Sequence, residues 1–102
     1  MPAGVFKAQI IEQITTHIRI RGGLPSDWYV GVSQNPESRL LINHKVDIVK
    51  DQCILIPANS DQEAKEILDY FINWIGTDGR PGEENNGARK VYAYKKASHT
   101  EP

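Results

Sequence analysis

Trp28-Tyr29-Val30-Gly31-Val32-Ser33-Gln34-Asn35-Pro36-Glu37-Ser38-Arg39-Leu40 reads as a strand that breaks at a turn and re-forms as a helix. Trp28, Tyr29, Val30 and Val32 are aromatic or β-branched, and such side chains fit a pleated surface. Gly31 interrupts the run where a missing side chain lets another group come close to the backbone. Asn35-Pro36 stops the strand. Asn caps helices, and Pro suits the first helical turn because the amide it lacks would have no partner there. Arg39 lies about one helical turn past Pro36. Strand, turn and helix together bring Tyr29 and Arg39 toward a common site.

Upstream, residues 5–21 read as an amphipathic helix. Phe6, Ile10, Ile14 and Ile18 recur every four positions with Ile11 beside them, and Lys7, Glu12, Gln13 and Thr16 fall on other sides. Gly22-Gly23 ends this helix, and Arg19 and Arg21 in its last turn suit the negative end of the helix dipole. Downstream, the helix from Pro36 runs to His44. Lys45–Asp51 is open between a short strand and a bend. Cys53-Ile54-Leu55-Ile56 is an apolar run bounded by Asp51 and Pro57, as expected of a buried central strand. Ser60 and Glu63 form a capping box for a helix that runs to about Ile75, with Ala64, Ile67, Leu68, Phe71 and Ile75 on one face. Residues 76–89 hold four glycines and form a long loop, either functional or mobile. Lys90-Val91-Tyr92-Ala93-Tyr94-Lys95 alternates small or apolar with larger residues and reads as a last strand. Residues 97–102 are expected to be a flexible tail.

Helix, strand, helix, strand, helix, strand in this order predict an α+β domain over residues 1–96, a small three-stranded sheet flanked by helices. The chain has 102 residues, enough for one core, and a formal net charge of −1. That balance excludes a strongly basic chain that grips nucleic acid by total charge and leaves room for a local patch. Cys53 is the single cysteine, so no internal disulfide forms, and a cytoplasmic setting is the simpler expectation. No apolar run is long enough to span a bilayer, and the N-terminus lacks a signal-peptide pattern.

Tyr29-Val30-Gly31, the Asn35-Pro36 turn, Arg39-Leu40 and His44 resemble the second half of the GIY-YIG nuclease signature. There a Tyr-Ile/Val-Gly strand precedes a helix that carries an essential Arg. The match covers roughly residues 28–44. The resemblance implies a first strand paired antiparallel with the Tyr-Val-Gly strand. Residues upstream of Trp28 are helical and do not supply it. Lys90–Tyr94 looks like such a strand, so it is expected to take that place, as in a circular permutation. Tyr92 or Tyr94 would then stand beside Tyr29. The alternative is that both are ordinary strand aromatics packed across a sheet.

The resemblance further implies that Tyr29 and Tyr92 help to activate water, that Arg39 stabilises the phosphate, and that a Glu on a later helix holds a divalent metal, Mg²⁺ or Mn²⁺. Ala64 would place that Glu at position 68, where the chain has Leu68 in the middle of an apolar stripe. Asp69 is the nearest substitute for the metal ligand. It is one position out of register, about 100° around the helix. Glu66 lies nearly opposite Leu68 and is expected to face solvent. His44 is open between a phosphate contact or proton carrier and a partly buried helix-end residue. Arg89, Lys90 and Lys95, with Trp28 and Arg39, could form a basic and aromatic rim for a nucleic acid. The glycine-rich loop has no Gly-Lys-Ser/Thr ending and leads into a strand, which argues against a Walker loop.

Two functions follow as expectations. One is a diverged GIY-YIG-like domain that binds DNA or RNA with weak or absent metal-dependent cleavage. The other is a non-catalytic protein-interaction module or inhibitor that retains only the fold.

Overall fold

Three isoleucines one turn apart set the first helix. The computed structural model describes residues 7–47, 52–79 and 89–100. Within it α1, Lys7–Arg21, buries Ile10, Ile14 and Ile18 along one stripe. The other long helix starts where the capping box predicts. The Ser60 hydroxyl accepts from the Glu63 amide at 3.1 Å, and the Glu63 carboxylate accepts from the Asn59 amide at 3.0 Å. This helix, α3, spans Asp61–Tyr70 and continues as a π turn, Phe71–Ile75. Gly76 ends it in the left-handed region at φ 95°, where a side chain would be strained.

Between them lie three strands: β1, Trp28–Ser33; β2, Cys53–Pro57; and β3, Lys90–Lys95. The sheet order is β1-β3-β2, and both pairings are antiparallel. The last strand of the chain is therefore the middle strand of the sheet, beside Trp28–Ser33 as expected. The expectation that Cys53–Ile56 is central is corrected. Both neighbours of β3 must be edges in a three-stranded sheet, and β2 is one of them.

Side chains alternate across a strand, so the register divides the core in two. Trp28, Val30 and Val32 fall on one face with Val91, Ala93, Ile54 and Ile56, and these pack against Ile10, Ile14 and Ile18 of α1 and Ala64, Ile67, Leu68 and Phe71 of α3. Tyr29 and Gly31 fall on the other face with Tyr92, Tyr94, Cys53 and Leu55. A short second helix covers that face. It begins as one α turn, Pro36–Ser38 (α2), and continues as a π turn, Arg39–Asn43, closed by the His44 amide donating to the Arg39 carbonyl at 2.9 Å. The result is three layers: α1 and α3, the sheet, then α2 and its π turn.

Several local expectations change. The two later helices each end in a π turn rather than running as uninterrupted α-helix, which re-aims the residues beyond it. Lys45 takes φ 60° and the Val46 amide donates to the Leu40 carbonyl at 2.8 Å, so Lys45–Asp47 is a bend. Residues 97–100 form a turn. The Thr100 hydroxyl accepts from the Ala97 amide at 2.8 Å, and Thr100 is buried. Residues 76–79 run along the free edge of β1. The Val30 amide donates to the Asp78 carbonyl at 3.0 Å, and the Asp78 amide donates to the Trp28 carbonyl at 2.8 Å. Phe6, the Ile48–Asp51 stretch, most of the glycine-rich loop and the last two residues of the tail lie outside the described residues. Among the described residues no helix is long and apolar enough to cross a membrane.

Candidate functional site

The register puts Tyr29 opposite Tyr94 and Gly31 opposite Tyr92. Because all four share one face, three phenol rings stand together on the sheet. Tyr29 lies 5.4 Å from Tyr94 and 6.3 Å from Tyr92, centroid to centroid, in roughly parallel stacks. Gly31 makes room for this. A Cβ built there would fall 2.5 Å from both the Cζ and the hydroxyl of Tyr92. The Tyr92 ring thus lies against bare backbone, which is the close approach that a glycine inside a strand signals.

The π turn supplies the fourth ring. His44 Nε2 is 2.8 Å from the Tyr92 hydroxyl, and His44 Nδ1 is 3.2 Å from the Tyr94 hydroxyl. A neutral imidazole donates from one nitrogen and accepts at the other, so one phenol accepts from His44 while the other donates to it. Tyr29 packs on the imidazole with its centroid 4.7 Å away. Leu40 and Val46 close the cluster. Tyr29, Tyr92 and Tyr94 are at most 2% exposed and His44 is 4% exposed. The four rings therefore make a buried, packed unit, with the imidazole as the hydrogen-bonded bridge between two of the phenols.

Arg39 begins the same π turn. Its amide donates to the Asn35 carbonyl at 3.1 Å, and its side chain is half-buried at the margin of the cluster's lid. The basic residues separate into two places. Lys90 pairs with Ser33, where β1 leaves the sheet, and the Arg89 carbonyl accepts from the Ala58 amide at 2.7 Å. The Asn35 amide donates to the Ser33 hydroxyl at 3.0 Å, so the start of α2 stays at that end of the sheet. The backbones of Arg89 and Lys90 and the start of the helix that leads to Arg39 thus lie at one end of the sheet, and both Arg89 and Lys90 are exposed.

Lys95 and Trp28 do not join them. Lys95 pairs with Trp28 at the far end of the strand, about 17 Å away at a strand's rise per residue, and projects from the other face. Trp28 is 0% exposed; its indole donates to the Gly22 carbonyl at 3.2 Å and meets His17 edge-on at 5.5 Å. With no free face, that ring has nothing to stack on a base. Asp69 is also remote from the tyrosines. It sits on α3, across the sheet from them, beside a hollow shared with Glu66 and Lys7. Glu66 is solvent-exposed as expected, and hydrogen bonds from Gln62 and then Lys7 hold its carboxyl below the usual range. Leu68 is 2% exposed, inside the core. Among the described residues no three His, Cys, Asp or Glu side chains converge as metal ligands. Among the described residues the donor set at the tyrosines is phenols and one imidazole without a carboxylate, which does not fit Mg²⁺ or Mn²⁺.

The sequence reading set Tyr92 or Tyr94 beside Tyr29 and left His44 open between a site role and a buried helix end; the structure places both tyrosines beside Tyr29 and His44 against both. The signal was present: Tyr92 and Tyr94 are two apart on one strand and share a face. The chain matches no family model, no curated protein and no solved structure.

Proposed function

We propose that this chain is a permuted GIY-YIG-like domain that holds a nucleic-acid backbone without cutting it. The observation that carries the reading is the register of the middle strand. A strand from the end of the chain lies antiparallel to Tyr29-Val30-Gly31 and sets Tyr92 and Tyr94 beside Tyr29. A phosphate contact at Arg39, Arg89 and Lys90 draws support from their common end of the sheet and from the exposure of Arg89 and Lys90. Arg39 would fork two hydrogen bonds to phosphate oxygens, and the others would add charge.

The absence of cleavage follows from burial and bonding. An in-line attack on phosphorus needs a water next to the general base and a cation on the opposite oxygens. Here the phenols are at most 2% exposed. Two of them are held by His44, and the position where the family carries its Glu is occupied by Leu68. The rings serve as a rigid block that fixes the helix bearing Arg39.

The test is fluorescence anisotropy of labelled single-stranded and duplex DNA at low salt, with plasmid nicking in Mg²⁺ or Mn²⁺ run beside it. Binding should weaken with salt, with a slope of about two to three released counterions for three phosphate contacts. Arg39→Ala and Lys90→Ala should each weaken binding about three- to tenfold and leave the plasmid intact. No binding at low salt removes the nucleic-acid reading. Metal-dependent nicking that disappears in Tyr29→Phe removes the claim that cleavage is lost.

A further inference from the structure

The sheet has two edges, and the chain treats them differently. Along β1 the stretch 76–79 covers the edge: the Val30 amide and the Trp28 carbonyl both bond to Asp78, and Lys96 holds the Asp78 carboxylate at 3.2 Å. Along β2 no described residue pairs from outside. The direction of its backbone groups follows from the register. The Lys95 amide donates to the Gln52 carbonyl at 3.0 Å, and the Ala58 amide donates to the Arg89 carbonyl at 2.7 Å. Gln52, Ile54, Ile56 and Ala58 therefore turn their backbone groups toward β3, because facing residues in an antiparallel pair alternate between bonded and non-bonded. Leu55 turns its amide and carbonyl outward, and Pro57 its carbonyl.

An edge of this kind is a template for another strand unless charge, proline or a bulge blunts it. Cys53–Pro57 carries no charge, and its proline stands at the very end. Ile54 and Leu55 are half-buried. On the α1 side of this edge Ile54 lines a groove of about 440 Å³ with Ile20, which is 73% exposed. The groove carries both signs of charge. Glu12 is the first residue of α1 to line it and Arg21 the last, and both are exposed, with no ion pair among the described residues. They stand about 13 Å apart along the helix, too far to meet each other.

We propose that the partner of this edge is a second copy of the chain, paired through β2 about a two-fold axis at Leu55. Two antiparallel β2 strands then exchange a pair of hydrogen bonds between their Leu55 residues, and Ile54 of each copy faces Ile56 of the other. The same axis reverses α1, which turns Glu12 of each copy toward Arg21 of the other. A strand without charge beside a groove with one acid and one base selects neither an acidic nor a basic ligand. It matches itself turned round, as a two-fold interface requires. The result is a six-stranded sheet that runs through both copies.

The experiment joins sedimentation equilibrium of the full chain over a concentration series to amide hydrogen exchange by NMR. The mass should rise toward that of two chains and no further. Exchange of the Leu55 amide should slow at least about tenfold from the lowest to the highest concentration, while Ile54 and Ile56, bonded to β3, stay protected throughout. Glu12→Arg should weaken the dimer about three- to tenfold, and adding Arg21→Glu should restore it. Both side chains are exposed, so neither change threatens the fold. Trp74, 80% exposed, lines hollows on the opposite flank of α1, and Trp74→Ala should leave the dimer intact. A single-chain mass at every concentration overturns the proposal. So does Leu55 protection that ignores concentration, which would mean that the chain covers its own edge. Association without Leu55 protection, or association lost in Trp74→Ala, overturns it as well by moving the contact to another face.

Discussion

Gly31→Ala should destabilise the protein, although replacing a strand glycine by alanine ordinarily stabilises it by relieving the entropy cost of glycine. Gly31 is not among the glycines with positive φ, so backbone strain does not enter. The obstacle is the Tyr92 ring, with Cζ and hydroxyl both 2.5 Å from the new methyl position. Neither partner can yield easily: β1 is hydrogen-bonded in the sheet, and the Tyr92 hydroxyl is 2.8 Å from His44 Nε2. Overpacking of this kind costs about 1–3 kcal/mol, and loosening the phenol–imidazole bond adds about 1 kcal/mol. A total near 3 kcal/mol would lower the melting temperature of a domain this size by roughly 12–24 °C. Urea unfolding followed by circular dichroism measures it, with an unchanged m-value as the sign that only stability moved. Tyr92→Leu removes the obstructing ring tip, so Gly31→Ala should cost at least about 1 kcal/mol less in that background. A Gly31→Ala protein within about 0.5 kcal/mol of the native one, or an equal cost in both backgrounds, would refute the reasoning.

Two further outcomes follow from named groups. His44→Phe keeps a ring beneath the π turn but removes both bonds to the phenols; it should cost about 2–5 kcal/mol in urea unfolding, and a loss below about 1 kcal/mol would contradict the bridging role. His17 has its pKa lowered from 6.5, first by burial and then by Arg21. A proton therefore binds the unfolded chain more readily, so His17's contribution is complete above pH 6.5 and stability falls as pH drops below it. His17→Gln should shrink the loss of urea midpoint between neutral and mildly acid pH, and an NMR titration placing His17 at or above 6.5 would refute the burial argument.

Local chemistry made much of this legible in the sequence. Ser60 and Glu63 announced the start of α3, the isoleucine spacing announced α1, and Gly31 announced a close approach that turned out to be Tyr92. The position of Lys90–Lys95 was reachable because the Tyr-Val-Gly strand lacked a partner upstream. What escaped reading was set by layers rather than by neighbours in the chain. Trp28 and Tyr29 look alike in a strand run, yet alternation sends one into the core under α1 and α3 and the other under α2. Lys90 and Lys95 lie close in sequence, but an extended strand separates them by its length and its two faces. Asp69 sits next to the position where the GIY-YIG resemblance would call for a Glu, but α3 packs on the other side of the sheet from the phenols. The π turn that swings His44 onto two hydroxyls has no sequence signal that we can name, and neither does the exposure of Trp74.

The most direct test of the account is an amide NMR titration of the isotope-labelled chain with a short single-stranded oligonucleotide at low salt. The amides of Arg39, Arg89 and Lys90 should shift together and return as salt is raised, while those around Lys95 and Trp74 stay still. Shifts centred on Trp74 and Lys95, or none at the Arg39 end, would contradict it.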